Sequence, residues 1–153
     1  MTPADLISEL AAEIEDAVKN FTFPAESQAD KKISVWRQNF PREGFENATY
    51  YPYVEVKLFR VRDNVPKQNI EASVATVVIT CGVYTEGKEG WRDLLNLCEC
   101  IRQRLLTRRT IGKQFRLILP TQFEVELNQP EPFMIAYMTA DYTVAQPQQQ
   151  LYL

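Results

Sequence analysis

The sequence predicts an α+β fold: a mainly antiparallel sheet with two amphipathic helices packed on it, in the order α-β-β-β-α-β-β. Three observations predict it. Residues 90–106, GWRDLLNLCECIRQRLL, are the longest helical pattern in the second half of the chain, and their apolar stripe needs a surface to lie on. Strand-like runs stand on both sides of that helix. A second amphipathic stretch opens the chain.

The elements follow in order. Thr2 can cap a first helix, Pro3 suits its first turn, and Asp5 complements its dipole. Leu6, Ile7, Leu10, Ala11, Ile14, Ala17, Val18 and Phe21 share one face of it, and an acidic set takes the other. Residues 24–32 read as polar linker, and residues 33–36 as a short edge strand. Tyr53–Arg62 alternates, with Val54, Val56 and Leu58 against Glu55, Lys57 and Arg60, and slips at Leu58-Phe59, which predicts a bulge. Residues 70–84 form a long strand whose heavier face is Val77, Ile79, Cys81 and Val83. The two runs read as one long β-hairpin arm with its tip near Pro66. On the helix at 90–106, Trp91, Leu94, Leu95, Cys98, Ile101, Leu105 and Leu106 share an arc, and Gly112 follows as a stop signal. Residues 115–119 and 121–127 read as two strand segments broken at Pro120. Residues 133–144 are the last strand, with Met134, Ala136, Met138, Ala140, Tyr142 and Val144 on one face. The expected organisation is a single domain over residues 1–145 and a Gln-rich tail over 146–153.

Composition narrows the function. The 153 residues suffice for one core, and 45% hydrophobic content is ordinary for a globular chain. The net charge of −3 argues against a generic nucleic-acid binder. The absence of histidine removes the commonest metal ligand and general base, and with them a serine triad. Cys81, Cys98 and Cys100 form no CxxC pair, and the last two diverge on their helix, so reduced thiols are expected. No apolar run reaches the roughly 20 residues of a membrane span, and no basic-then-apolar leader opens the chain, so synthesis and folding in the cytoplasm are expected. Phosphate-binding glycine motifs are absent. Glu124 and Glu126, or Glu55 facing Glu71 across the hairpin, are the only candidates for a metal-dependent site, and alternating acids on a solvated strand face are far commoner.

Three features remain. Residues 38–52 form a loop by their Pro, Gly and Asn content, yet hold Phe40, Phe45, Tyr50 and Tyr51. These rings either fold back as a lid over the core or pack on a neighbouring subunit. Between Arg102 and Arg116 stand six basic residues, with Arg108 and Arg109 at the helix exit. They either complement the helix dipole or meet an acidic partner or passing DNA. Arg102 projects into the apolar arc, where a guanidinium must snorkel or find a carboxylate; a structural ion pair is expected.

One resemblance draws these features together. It runs through Glu89-Gly90-Trp91-Arg92-Asp93-Leu94-Leu95, Ile101-Arg102, Ile111-Gly112, Phe115-Arg116-Leu117, then Gln129-Pro130 and Pro132-Phe133, with a last strand and a short polar tail. This order resembles the tail terminator (tail completion) proteins of long-tailed bacteriophages and prophages. The similarity covers the first helix to about residue 145 and is carried by order and pattern, not by an invariant motif; the loop at 38–52 departs from the shortest members. The resemblance implies a structural virion protein of the neck region, assembled in the host cytoplasm, without catalysis or cofactor. Such proteins form rings, typically hexamers, that cap the head-proximal end of the tail tube and end its polymerisation. They offer a surface to the head connector or stopper protein, and in contractile tails they meet the sheath; DNA passes through the lumen unread, and no membrane is involved. On this reading Phe40, Phe45, Tyr50, Tyr51, Pro66, Arg108, Arg109, Leu151, Tyr152 and Leu153 are the expected subunit or partner contacts. The rival expectations are another neck component (a head-completion or stopper protein), a metal-dependent nuclease, and a single-stranded nucleic-acid binder using the basic block with Phe115.

Overall fold

The computed structural model describes residues 2–23, 31–63, 72–126 and 132–147. Two helices, α1 (Pro3–Val18) and α2 (Gly90–Thr107), cover one face of a six-stranded sheet. The strands are β1 (Ser34–Arg37), β2 (Tyr53–Arg62), β3 (Ala72–Tyr84), β4 (Thr110–Ile111), β5 (Phe115–Val125) and β6 (Phe133–Ala145). Their spatial order is β1-β2-β3-β6-β5-β4.

α1 starts as the sequence dictates. Thr2 and Asp5 form a capping box: the Asp5 amide donates to the Thr2 hydroxyl at 3.3 Å and the Thr2 amide to the Asp5 carboxylate at 2.7 Å. Leu6, Ile7, Leu10, Ala11, Ile14 and Val18 are buried beneath it. They meet Val54, Val56, Ala75, Val77, Ile79, Cys81 and Val83 from the hairpin and the even-numbered face of β6 from Met134 to Val144. The β6 alternation is complete along the strand, because one face lies under helices and the other does not.

Several expectations need correction. The sheet is mixed: β1 pairs with β2 in parallel, while the other pairings are antiparallel. A parallel neighbour needs a connection that returns to the starting end of the strand, and the stretch at 38–52 supplies it. β5 is one strand through Pro120, with the break absorbed as a register irregularity between Ile118 and Gln122. The two-residue strand β4 escaped the pattern reading. Gly112 (φ 61°) belongs to the turn between β4 and β5, together with Lys113 (φ 63°), and does not cap α2, whose C-cap is Arg108. The slip at Leu58-Phe59 is a real irregularity, with Leu58 opposite Val77 and Arg60 opposite Thr76.

The buried stripe of α2 is also rotated. It comprises Gly90, Asp93, Leu94, Leu97, Cys98, Ile101 and Leu105, roughly 60° around the axis from the expected arc. Trp91 is 47% exposed, and Leu95 and Leu106 are half-buried. The cause is α1, which packs beside α2 and covers the flank of Leu97 and Cys100, where the Cys100 thiol donates to the Ala17 carbonyl at 3.4 Å. The opposite flank has no such neighbour among the described residues. No helix of the described residues is long and apolar enough to cross a membrane.

Candidate functional site

The first part of Tyr53–Arg62 is buried on both faces, with Tyr53, Val54, Glu55 and Val56 all covered. Val54 and Val56 face the helices. Tyr53 and Glu55 face the other way, beneath the loop at 38–52. That loop is built from two short 3-10 helices, Arg42–Glu46 and Ala48–Tyr50.

The loop closes as an aromatic lid. Phe40 stacks on Tyr53 with ring centroids 3.9 Å apart, and Trp36, Phe45 and Tyr50 stand edge-on to Phe40 or tilted around it. Tyr51 packs against Tyr53 and Phe133. The lid is tied down by polar contacts as well. The Phe40 amide donates to the Glu55 carboxylate at 3.1 Å, and the Tyr51 hydroxyl donates to the Phe45 carbonyl at 2.8 Å. Burial pushes the Tyr51 hydroxyl up to about 12 and that of Tyr53 further up. Gly82 lies directly opposite Tyr53 on β3, and the Tyr53 and Tyr51 rings occupy the space a side chain would need.

Of the four rings expected at a contact surface, Phe40 (8% exposed) and Tyr51 (4%) are therefore interior, and Tyr50 is half-buried. Phe45, at 42% exposed, is the one presented outward. Pattern reasoning did not assign Trp36, Tyr53, Tyr84, Phe133, Glu55 or Gly82 to this cluster. A glycine inside an otherwise heavy strand was the available signal, since it marks close approach by another group.

Arg102 pairs with Glu99 at 2.9 Å on its own helix, both nearly half exposed. It lies outside the buried stripe because the stripe is rotated. The bridge between the two helices is made by Arg104, whose guanidinium reaches Asp16 at 2.7 Å and Glu13 at 3.1 Å. Arg108 reaches the same Glu13 at 3.4 Å, and Arg109 donates to the Leu106 carbonyl, so both partly serve the end of α2 while remaining exposed. Hydrogen bonds from Lys19 and Arg104 hold the Asp16 carboxyl down at about 2. A depressed folded value means that its stabilisation is complete above the ordinary 3.8 and is lost as pH falls through about 2. The α1–α2 contact is thus expected to weaken across that acidic window, and Asp16→Asn to flatten this part of a Tm-against-pH profile. Arg104→Met, which keeps the stem and removes the charge, is expected to cost about 1 kcal/mol at neutral pH.

The carboxylates considered for a metal site are spread out. Glu55 and Glu124 share a row across β2, β3, β6 and β5, three strand spacings or about 14 Å apart. Glu55 is engaged under the lid, and Glu71 lies outside the described residues, as do Pro66, Leu151, Tyr152 and Leu153. Among the described residues no group of three or more His, Cys, Asp or Glu side chains could hold a metal ion.

Among the described residues, both edges of the sheet are only half closed. On one side β1 covers residues 53–56 of β2, and Gln38, in a left-handed conformation (φ 68°), extends the cover by one step. Its side-chain amide accepts from the Leu58 amide at 2.7 Å and donates to the Leu58 carbonyl at 3.4 Å. Residues 59–62 have no strand beyond them among the described residues. On the other side β4 covers Phe115 and Arg116, and the Leu117 amide donates to the Arg109 carbonyl at 2.7 Å. The regular stretch at 122–125 has no strand beyond it among the described residues. Exposed apolar side chains collect at these places: Phe59 (65%) and Val61 (38%) on β2, and Leu119 (47%), Phe123 (38%) and Val125 (38%) on β5.

No family model matches the chain, and no curated protein matches it.

Proposed function

We propose that the chain is a structural subunit of a long-tailed bacteriophage virion that assembles as a closed ring, probed by the tail tube on one side and the head connector or stopper on the other. In that role it caps the head-proximal end of the tail tube and ends tube polymerisation. The observation that carries the proposal is the placement of exposed apolar side chains. Of seven large ones among the described residues, five stand at the two opposite edges of one sheet. A surface that is apolar at two opposite edges suits head-to-tail association, which closes into a ring when the rotation permits. The order of elements shared with tail terminators supports the same reading and adds the tube end as the partner. A contractile tail would bring the sheath into contact as well, and DNA would cross the lumen without being read.

The test is negative-stain imaging of the purified protein, alone and mixed with purified tail tubes or with capsids. Rings with a central hole, and caps on one end of the tubes, are expected. Capsid binding without tube binding would favour the other neck components. A monomer at high concentration that ignores both would remove the proposal. Phe45 offers a narrower check, because its ring is outward while the rest of the lid is interior. Phe45→Ala is expected to cost less than about 1 kcal/mol of monomer stability while weakening ring or tube association; an unchanged assembly mass in light scattering would take Phe45 out of the contact.

A further inference from the structure

The two edge stretches without a neighbouring strand among the described residues are complementary in face and charge. On β2 the regular residues beyond the irregularity are 60–62 and on β5 they are 122–125, and the two stretches lie on opposite sides of the same sheet. Cross-strand partners assign the faces. Val61 lies opposite Ala75, and Phe123 and Val125 opposite Met138 and Ala136, all on the helix-covered face. Arg60 lies opposite Thr76 and Glu124 opposite Tyr137, both on the other face. Arg60 and Glu124 are exposed and make no ion pair among the described residues. The Arg60 guanidinium lies 5.4 Å from the centroid of the Phe59 ring.

We infer that β2 of one copy adds to the sheet of the next by antiparallel pairing with β5, in the register that sets Val61 against Phe123 and Arg60 against Glu124. This deepens the ring reading above and rests on it. The occupant of each edge is a second copy of this chain because the edges complement each other: apolar meets apolar on the helix face, and cation meets carboxylate on the other. Neighbouring elements limit where the pairing can lie. Toward the start of β2 the Gln38 amide already occupies the edge at Leu58, and β5 ends at Val125, so the pairing is short. An unstaggered pairing is obstructed, since β4 sits on the upper part of the β5 edge and β1 on the lower part of the β2 edge.

The stagger also has a workable size. In one chain Val61 shares a row with Ala75, Tyr142 and Leu117, whereas Phe123 pairs with Met138, four residues back along β6. That offset is ~13 Å, against a repeat of β2, β3, β6 and β5 of ~19 Å. The strands then incline by about 35° to the ring axis, within the range at which closed sheets settle.

The experiment is a charge swap followed by sedimentation velocity. Wild type is expected to assemble. Glu124→Lys and Arg60→Glu alone each place like charges across the joint and are expected to raise the concentration needed for assembly on the order of tenfold or more. An equimolar mixture of the two variants is expected to assemble again. Each then supplies the sign its neighbour lacks, and a ring with an even number of subunits closes under strict alternation. Rescue by mixing also shows that neither variant had misfolded. If wild type forms rings and either variant assembles equally well, or the mixture is not rescued, this pairing is wrong while the ring reading survives. If wild type forms no assembly, free or on tail tubes, the ring reading falls and takes the pairing with it.

Discussion

A Gly82→Val chain is expected to lose about 3 kcal/mol of stability, a drop of roughly 6–12 °C in Tm for a chain of this size. The reason is local. A Cβ at Gly82 would collide with the Tyr53 ring and come within 2.8 Å of the Tyr51 ring. Neither is the loose end of a flexible side chain: Tyr53 is fully buried, between Phe40 on one side and the strand on the other. Valine's preference for strands offsets less than about 1 kcal/mol of this. The damage should stay on the open face of the sheet. Near-UV circular dichroism is expected to lose aromatic intensity while far-UV signal is retained, because the helix-covered core on the other face is not touched. Unchanged melting would mean that the lid does not rest on Gly82.

The second large effect is expected from Phe40→Ala, also about 3 kcal/mol, the low end for deleting a buried phenylalanine because the site lies near the surface and can admit water. Phe40 is the ring on which the lid converges, with Tyr53 stacked at 3.9 Å and Phe45, Trp36 and Tyr50 at 5.1, 5.5 and 5.9 Å. Removing it empties the centre and leaves the Glu55 carboxylate, which the Phe40 amide partners, nearer to water. The fluorescence of Trp36 is expected to shift to the red over the constant background of the exposed Trp91. The contrast with Phe45→Ala is the useful part. Both residues belong to one loop, but one change is expected to act on the monomer's stability and the other on its association. A stability loss in Phe45→Ala as large as in Phe40→Ala would contradict the division.

Much of the fold was legible because its patterns are local. The capping box needs only Thr2 and Asp5 three residues apart. The helix-facing stripe of α1 and the alternating face of β6 follow from periodicity against a single covering layer. The bulge at Leu58-Phe59 was visible as a slip in that alternation. The rotated stripe of α2 was not, since the wheel weighs only the apolarity of its own residues, while burial there depends on which flank α1 occupies. Trp91 and Leu95 look like core and lie on the uncovered side; Asp93 looks exposed and is buried. The same limit hid Glu55, a polar residue in an alternating strand, which reads as solvated until a second layer is known to lie over it.

The functional surface divides in the same way. From the sequence alone came the α+β class, the order of the helices and longer strands, the absence of histidine, the aromatic loop as a feature needing a partner, and the expectation of a tail-terminator role. Only the tertiary structure decided which rings that loop keeps for itself, that Arg104 and not Arg102 ties the helices together, and that among the described residues the sheet has two half-open edges. The physical reason is range. Periodicity, caps and turns are set by residues within a few positions of one another. An edge is defined by which strand fails to arrive beside it, and Arg60 and Glu124, 64 positions apart in the sequence, become complementary only when the strand order sets them on opposite sides of one sheet.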